Sequence, residues 1–129
     1  VEQSNYLIDT NALIDFLGNK FPVSGMNFIN KVIDEGPVVS VISKIEVLGF
    51  NSTADNQALL ASFMKDATVL DLTNNVVEIC IELRKKYKTK LPDAIIAATA
   101  IAYNLTLITR NLSDFNRITE VKTVNPHSF

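Results

Sequence analysis

The chain has 129 residues, of which 47% are hydrophobic and 20% charged, with a formal net charge of −2 and one cysteine. That is enough apolar material for one folded domain spanning 1–129, too few charges for a disordered chain, and the wrong sign for a surface that is basic all over. Cys80 alone cannot form an intrachain disulfide, so it reads as a small core residue. The longest apolar stretch, Ala94 to Ala102, falls short of the roughly 18 residues that cross a bilayer. Val1 to Asn5 are polar and do not make a signal peptide, so a cytoplasmic protein is expected.

Tyr6-Leu7-Ile8 is short and continuously apolar, as in a buried strand. Leu13, Ile14 and Leu17 then share a helical face, and Gly18 stops it. Phe28, Ile29, Val32 and Ile33 mark a second helix, closed by Gly36-Pro37. Val38 to Ile42 is β-branched and predicts a second strand, with a helix from Ser43 to about Gly49. Another helix is expected over Asp55 to Lys65, and a short strand over Val69 to Leu72. Val76 to Arg84 belong to a long helix ending near Tyr87. Pro92 sits where a helix begins, and from Ala94 to Tyr103 that helix is apolar nearly all round, which predicts burial on several sides. Asn104 is expected to cap it, Leu105 to Thr109 to form a strand, and Glu120 to Val124 a last one. Strands alternating with helices imply parallel βαβ units in a small α/β sandwich. In such sheets ligands bind beyond the carboxyl ends of the strands.

Four acids stand at or near those ends. Asp9 follows the first strand; alone, Asp9 or Thr10 is equally well a helix cap. Glu46 lies one turn into a helix, and Ser43-Lys44-Ile45-Glu46 fits a capping box, which is the simpler local reading. Asp93 opens the most apolar helix, where an acid suits the helix dipole; yet it is the only charge between Lys90 and Arg110 and needs a partner or water. Asp114 follows the strand ending at Thr109 and is locally a turn aspartate. Parallel topology would gather all four on one edge. Carboxylates that crowd together resist ionising, and a divalent cation relieves them; all-oxygen ligands suit Mg²⁺ or Mn²⁺. A zinc site is not expected, because His127 is the single histidine and lies in the tail, where it is read as exposed.

Leu7-Ile8-Asp9-Thr10-Asn11-Ala12-Leu13-Ile14, Ser40 to Glu46, Leu91-Pro92-Asp93-Ala94-Ile95-Ile96-Ala97-Ala98-Thr99-Ala100, and Leu107-Ile108-Thr109-Arg110-Asn111 with Asp114-Phe115 occur in that order. Together with the terminal Val124-Asn125-Pro126 they resemble the PIN domain nucleases, and among these the toxins of bacterial VapBC toxin–antitoxin systems. The resemblance implies a three-layer α/β/α sandwich with a mostly parallel central sheet of four or five strands. It implies an Mg²⁺- or Mn²⁺-dependent ribonuclease whose catalytic, metal-binding acids are Asp9, Glu46, Asp93 and Asp114. The fourth position departs from many members, which carry an acid where this chain has Asn111. Asp114 is carried over in its place, with Asn111 as an uncharged helper, and one or two cations remain open.

The implied reaction is hydrolysis of an RNA phosphodiester. Thr10, Asn11, Thr109 and Asn111 are expected to supply hydrogen bonds near the phosphate. Arg84, Lys85, Lys86, Lys88 and Lys90 precede Asp93; a solvated helix end is the simpler reading of them. As substrate contacts, with Arg84 and Lys86 foremost, they predict salt-sensitive RNA binding; Arg110 and Arg117 are weaker candidates. The resemblance also implies a cognate antitoxin and a homodimer as partners. The alternative is a catalytically weak or inactive PIN-fold module that binds RNA or protein. A haloacid-dehalogenase-type phosphotransferase wants a second acid where Asn11 stands, and a response-regulator receiver wants a lysine at the end of the Leu105 to Thr109 strand.

Overall fold

The computed structural model describes residues 5–129; the opening polar segment, apart from Asn5, lies outside the described residues. The first strand, β1 (Tyr6–Ile8), leads to α1 (Thr10–Leu17) and α2 (Val23–Asp34). Next come β2 (Val38–Ser40), α3 (Val41–Leu48), α4 (Ala54–Asp66) and β3 (Thr68–Leu70). The second half holds α5 (Asn74–Lys86), α6 (Leu91–Ala102), β4 (Thr106–Ile108), α7 (Leu112–Phe115) and β5 (Thr123–Val124). A 3₁₀ turn, Pro126–Ser128, follows.

Every strand pairing is parallel, as the alternation of elements requires. The strands form two ladders, β1-β4-β5 and β2-β3, where one continuous sheet was expected. β1 and β2 lie against each other, but no ladder joins them. Because side chains alternate across a strand, neighbouring residues enter different cores. Leu7, Val38 and Leu107 pack with α5, α6 and α7, while Ile8, Val39 and Ile108 pack with α1 to α4. Helices therefore cover both faces, which gives three layers and explains why the strands read as unbroken apolar runs. Cys80 is buried in the first of these cores. Ala94 to Ala100 are all buried, so α6 is enclosed as its composition predicts.

Several boundaries differ from expectation: the third and last strands are Thr68–Leu70 and Thr123–Val124, and two further differences move a cap. The second strand stops at Ser40, and α3 starts at once, with the Ser40 hydroxyl accepting from the Ile42 N–H at 3.1 Å. Val41 and Ile42 are β-branched, but the Ser40 cap and the packing of half-buried Ile42 against one core override their strand preference. At the end of α6 the cap is Tyr103, and Asn104 follows in the left-handed region at φ 54°.

Candidate active site

Asp9 caps α1 at the carboxyl end of β1. Its Oδ1 accepts from the Thr10 N–H at 2.8 Å; its Oδ2 accepts from Asn11 Nδ2 at 2.9 Å and Thr109 Oγ1 at 2.8 Å. The last of these follows from register. Ile8 pairs with Ile108, so the next residues, Asp9 and Thr109, meet across the ladder. Cap and site residue are thus not rival readings of Asp9. It is 3% exposed, and burial pushes its carboxyl above the usual range; the charge of Asp93 adds to this against the hydrogen bonds. Of roughly four acceptor positions on a carboxylate, three are used by these donors.

Glu46 is not part of a capping box, because α3 already begins at Val41 and Ser43 lies inside it. Thr10 Oγ1 donates to Glu46 Oε1 at 2.7 Å and lies 2.9 Å from the buried Ser43 Oγ. The hydroxyl that opens α1 therefore fixes the glutamate one turn into α3.

Asp93 is half-buried in the first turn of α6. Burial raises its carboxyl, and the charges of Asp114 and Glu46 raise it further against the opposing Lys90. Asp93 thus feels the charges of Asp114 and Glu46, and Asp9 that of Asp93, so the four acids come from four elements to one edge of the fold. They supply only oxygen, the ligand chemistry of Mg²⁺ and Mn²⁺. Among the described residues no three His, Cys, Asp or Glu side chains converge into a ready-made cation cage.

The raised carboxyl of Asp93 gives a pH dependence with a definite sign. A carboxyl that holds its proton more tightly when folded destabilises the fold wherever it is ionised, and the penalty fades as pH falls toward the unfolded value near 3.8. In chelator, Asp93→Asn is therefore expected to melt above the wild type at pH 7. Thermal melts should show the gap narrowing toward pH 4; a gap that widens would contradict this account.

The remaining sequence-predicted residues divide. Thr109 is fully buried, and Asn11 uses both ends of its amide, on Asp9 and on the Arg110 N–H. Both brace the acid: Thr109 from inside the fold, and half-buried Asn11 from the first turn of α1. Asn111 donates its N–H to Thr109 Oγ1 at 3.0 Å, and Asp114 shares a cavity with Asp93 and adds its charge there. Arg84 shares a cavity of about 460 Å³ with Asp93 and Asp114, beside Lys88, Lys90 and Arg117. Lys86 departs from expectation: it points to another side of α5, where its Nζ meets Glu120 at 3.2 Å. Ser43 and Asp15 were missed, since a serine and an aspartate on predicted helices carry no signal of burial. His127, although exposed overall, is tied to Asp15.

The sequence matches the PIN domain family over residues 6–121. The chain belongs to the PIN domain family. Within it, this PIN domain is VapC-like. It is 29% identical to Ribonuclease VapC2 of Rickettsia felis, over 88% of this chain and 91% of that protein. Among solved structures, a toxin-antitoxin complex from Klebsiella pneumoniae contains a chain 30% identical to this PIN domain. The two superpose with a TM-score of 0.76, covering 94% of this chain and 97% of the other. VapBC2 from Rickettsia felis, solved with a DNA fragment from its promoter, gives 25% identity and a TM-score of 0.77, covering 93% and 97%. VapBC from Salmonella typhimurium, bound to DNA, shares the fold at a TM-score of 0.81 and 23% identity, covering 94% and 97%.

Proposed function

We propose that this PIN domain is a ribonuclease toxin that hydrolyses RNA phosphodiesters at the edge shared by Asp9, Glu46, Asp93 and Asp114. The observation that carries the reading is that buried Asp9 and half-buried Asp93 both hold raised carboxyls, each under the charge of another acid in the set. Mutual repulsion of this kind is what a divalent cation would relieve; Asp9 and Asp93 would hold it, with Glu46 and Asp114 beside them. When bound, such a cation lowers the pKa of a coordinated water and screens charge on the phosphate. The protein's own share is placement. Thr109 and Asn11 hold Asp9 still, Thr10 aims Glu46, and Glu46 and Asp114 orient a water and accept its proton. Arg84, Lys88, Lys90 and Arg117 line the approach to Asp93 and neutralise the strand's phosphates.

The partner reading has its own support. Ile14, Leu17, Val47, Phe50, Leu59 and Leu60 line an apolar groove of about 330 Å³ between α1, α3 and α4, and Phe50 is 68% exposed. This groove is assigned to an apolar segment of a cognate antitoxin, since VapC-like relatives are found in such complexes. The resemblance adds a second copy of the chain, packed through helices.

Incubating the purified chain with mixed-sequence RNA tests the central claim. Cleavage is expected with Mg²⁺ or Mn²⁺ and none in excess chelator. Cleavage that chelator leaves untouched removes the cation from the reading; absence of cleavage on all RNAs favours a binding module.

A further inference from the structure

Outside the acid cluster the fold buries one more carboxylate that the proposed reaction does not use. Asp15 lies on α1, one helical turn beyond Asn11 and on the same face, and is 1% exposed. Arg110 Nη1 donates to its Oδ1 at 2.9 Å and to its Oδ2 at 3.1 Å. His127 Nε2 stands 2.8 Å from Oδ2 and, against an ionised carboxylate, is the donor. Neither partner is a sequence neighbour. Arg110 leaves the carboxyl end of β4, and His127 comes from the terminal 3₁₀ turn, its ring 4.6 Å from that of Phe21.

The attachment of Arg110 gives this pair a role. Its backbone N–H donates to Asn11 Oδ1 at 3.2 Å, and the other end of the Asn11 amide donates to Asp9. Thr109, just before it, donates to the same Asp9 oxygen, and Asn111, just after it, donates to Thr109 Oγ1. The 109–111 turn is therefore fastened to α1 at two points one helical turn apart. The nearer is a neutral amide. The farther is a charge-assisted bond to a buried carboxylate and is the stronger of the two. The Arg110 side chain is otherwise 50% exposed, so without Asp15 it would turn to solvent and leave the turn held by Asn11 alone.

We infer that Asp15 is a positioning residue: through Arg110, with His127 closing its other side, it fixes the turn that presents Thr109 to Asp9. Only the activity arm of the test rests on the ribonuclease reading. In the full chain, Asp15→Asn is expected to speed amide hydrogen exchange at Arg110 and Asn111 at least tenfold, with the amides of α6 unchanged. RNA cleavage should lose about tenfold in kcat, with KM within twofold of wild type. Arg110→Lys, which keeps a charge on Asp15, should fall between wild type and Asp15→Asn in both readouts. Should Asp15→Asn fail to fold, Arg110→Gln at the half-exposed partner carries the same expectations. Unchanged exchange at 109–111 in a folded variant overturns the inference, and so does exchange that rises equally throughout the chain. If the wild type cleaves no RNA, the ribonuclease reading falls, and exchange at 109–111 still decides the role of Asp15.

Discussion

Asp9→Asn is expected to cut RNA cleavage on the order of 10³-fold while leaving the chain folded. Asparagine has the shape of aspartate and keeps one oxygen for the Thr10 N–H, so the α1 cap survives. Thr109 Oγ1 can reverse its role and accept from the new amide. What disappears is the negative charge, and with it the acceptor of the Asn11 amide, a bond worth about 1 kcal/mol. A ligand that anchors a cation supports several kcal/mol of charge stabilisation in the transition state, and about 4 kcal/mol is a factor of 10³. Burial already opposes that charge in the free protein, so its removal does not weaken the fold. Single-turnover cleavage and a thermal melt of the same preparation make the comparison. Equal cleavage by variant and wild type would mean that another protein in the sample is the nuclease.

Gly25→Ala should be the most damaging small change at a position remote from the acids. Gly25 lies in the first turn of α2, and a Cβ there would overlap the Pro126 carbonyl oxygen and come within 2.8 Å of its carbon. Both atoms are backbone and cannot rotate away, so the tail must lift. Its other anchors lift with it: the Ser24 hydroxyl donating to the Phe129 carbonyl, the Phe129 ring 4.8 Å from Phe28, and His127 on Asp15. Overpacking of this kind costs about 1–3 kcal/mol, and a domain of this size loses roughly 3–5 °C of Tm per kcal/mol. A fall of about 3–15 °C by differential scanning fluorimetry is expected. In a chain ending at Asn125 the overlap is gone. Alanine is the better helix former by about 1 kcal/mol, so the substitution there should be neutral or stabilising. The same loss in both chains would show that the tail is not what Gly25 accommodates.

The parts of the fold that were legible in the sequence are those set by local pattern. Leu7-Ile8, Val38-Val39 and Leu107-Ile108 read as buried strands because both of their faces are covered. The enclosed α6 announced itself through Ala94 to Ala100. Asp9 was singled out because it follows a buried strand, and Asp93 because it is a lone charge in an apolar stretch; burial raises the carboxyls of both. The Ser40 junction was not legible: the strand hands over directly to α3, so a serine one turn later mimicked a cap. Asp15 was hidden for a different reason. On a helix it looks like any solvated polar residue, and its partners Arg110 and His127 stand 95 and 112 positions away. Lys86 was misjudged because a run of basic residues on one helix does not say which face each occupies; the opposing Glu120 does. That same contact, with a stronger hydrogen bond from Tyr87, holds the Glu120 carboxyl down to about 2.

The pairing of β1 with β4 has a consequence for how the protein comes into being. Residue 6 finds its ladder partner at 106, and the Thr109–Asp9 hydrogen bond spans 100 positions. Contacts of such range form late, since a long loop must close first. During synthesis the amino-terminal acid leaves the ribosome long before the threonine that braces it and the aspartate of α7. A nascent chain therefore carries the pieces of the site without the site. If the chain is the ribonuclease proposed here, it stays harmless to the RNA around it until residues 106–114 have been made.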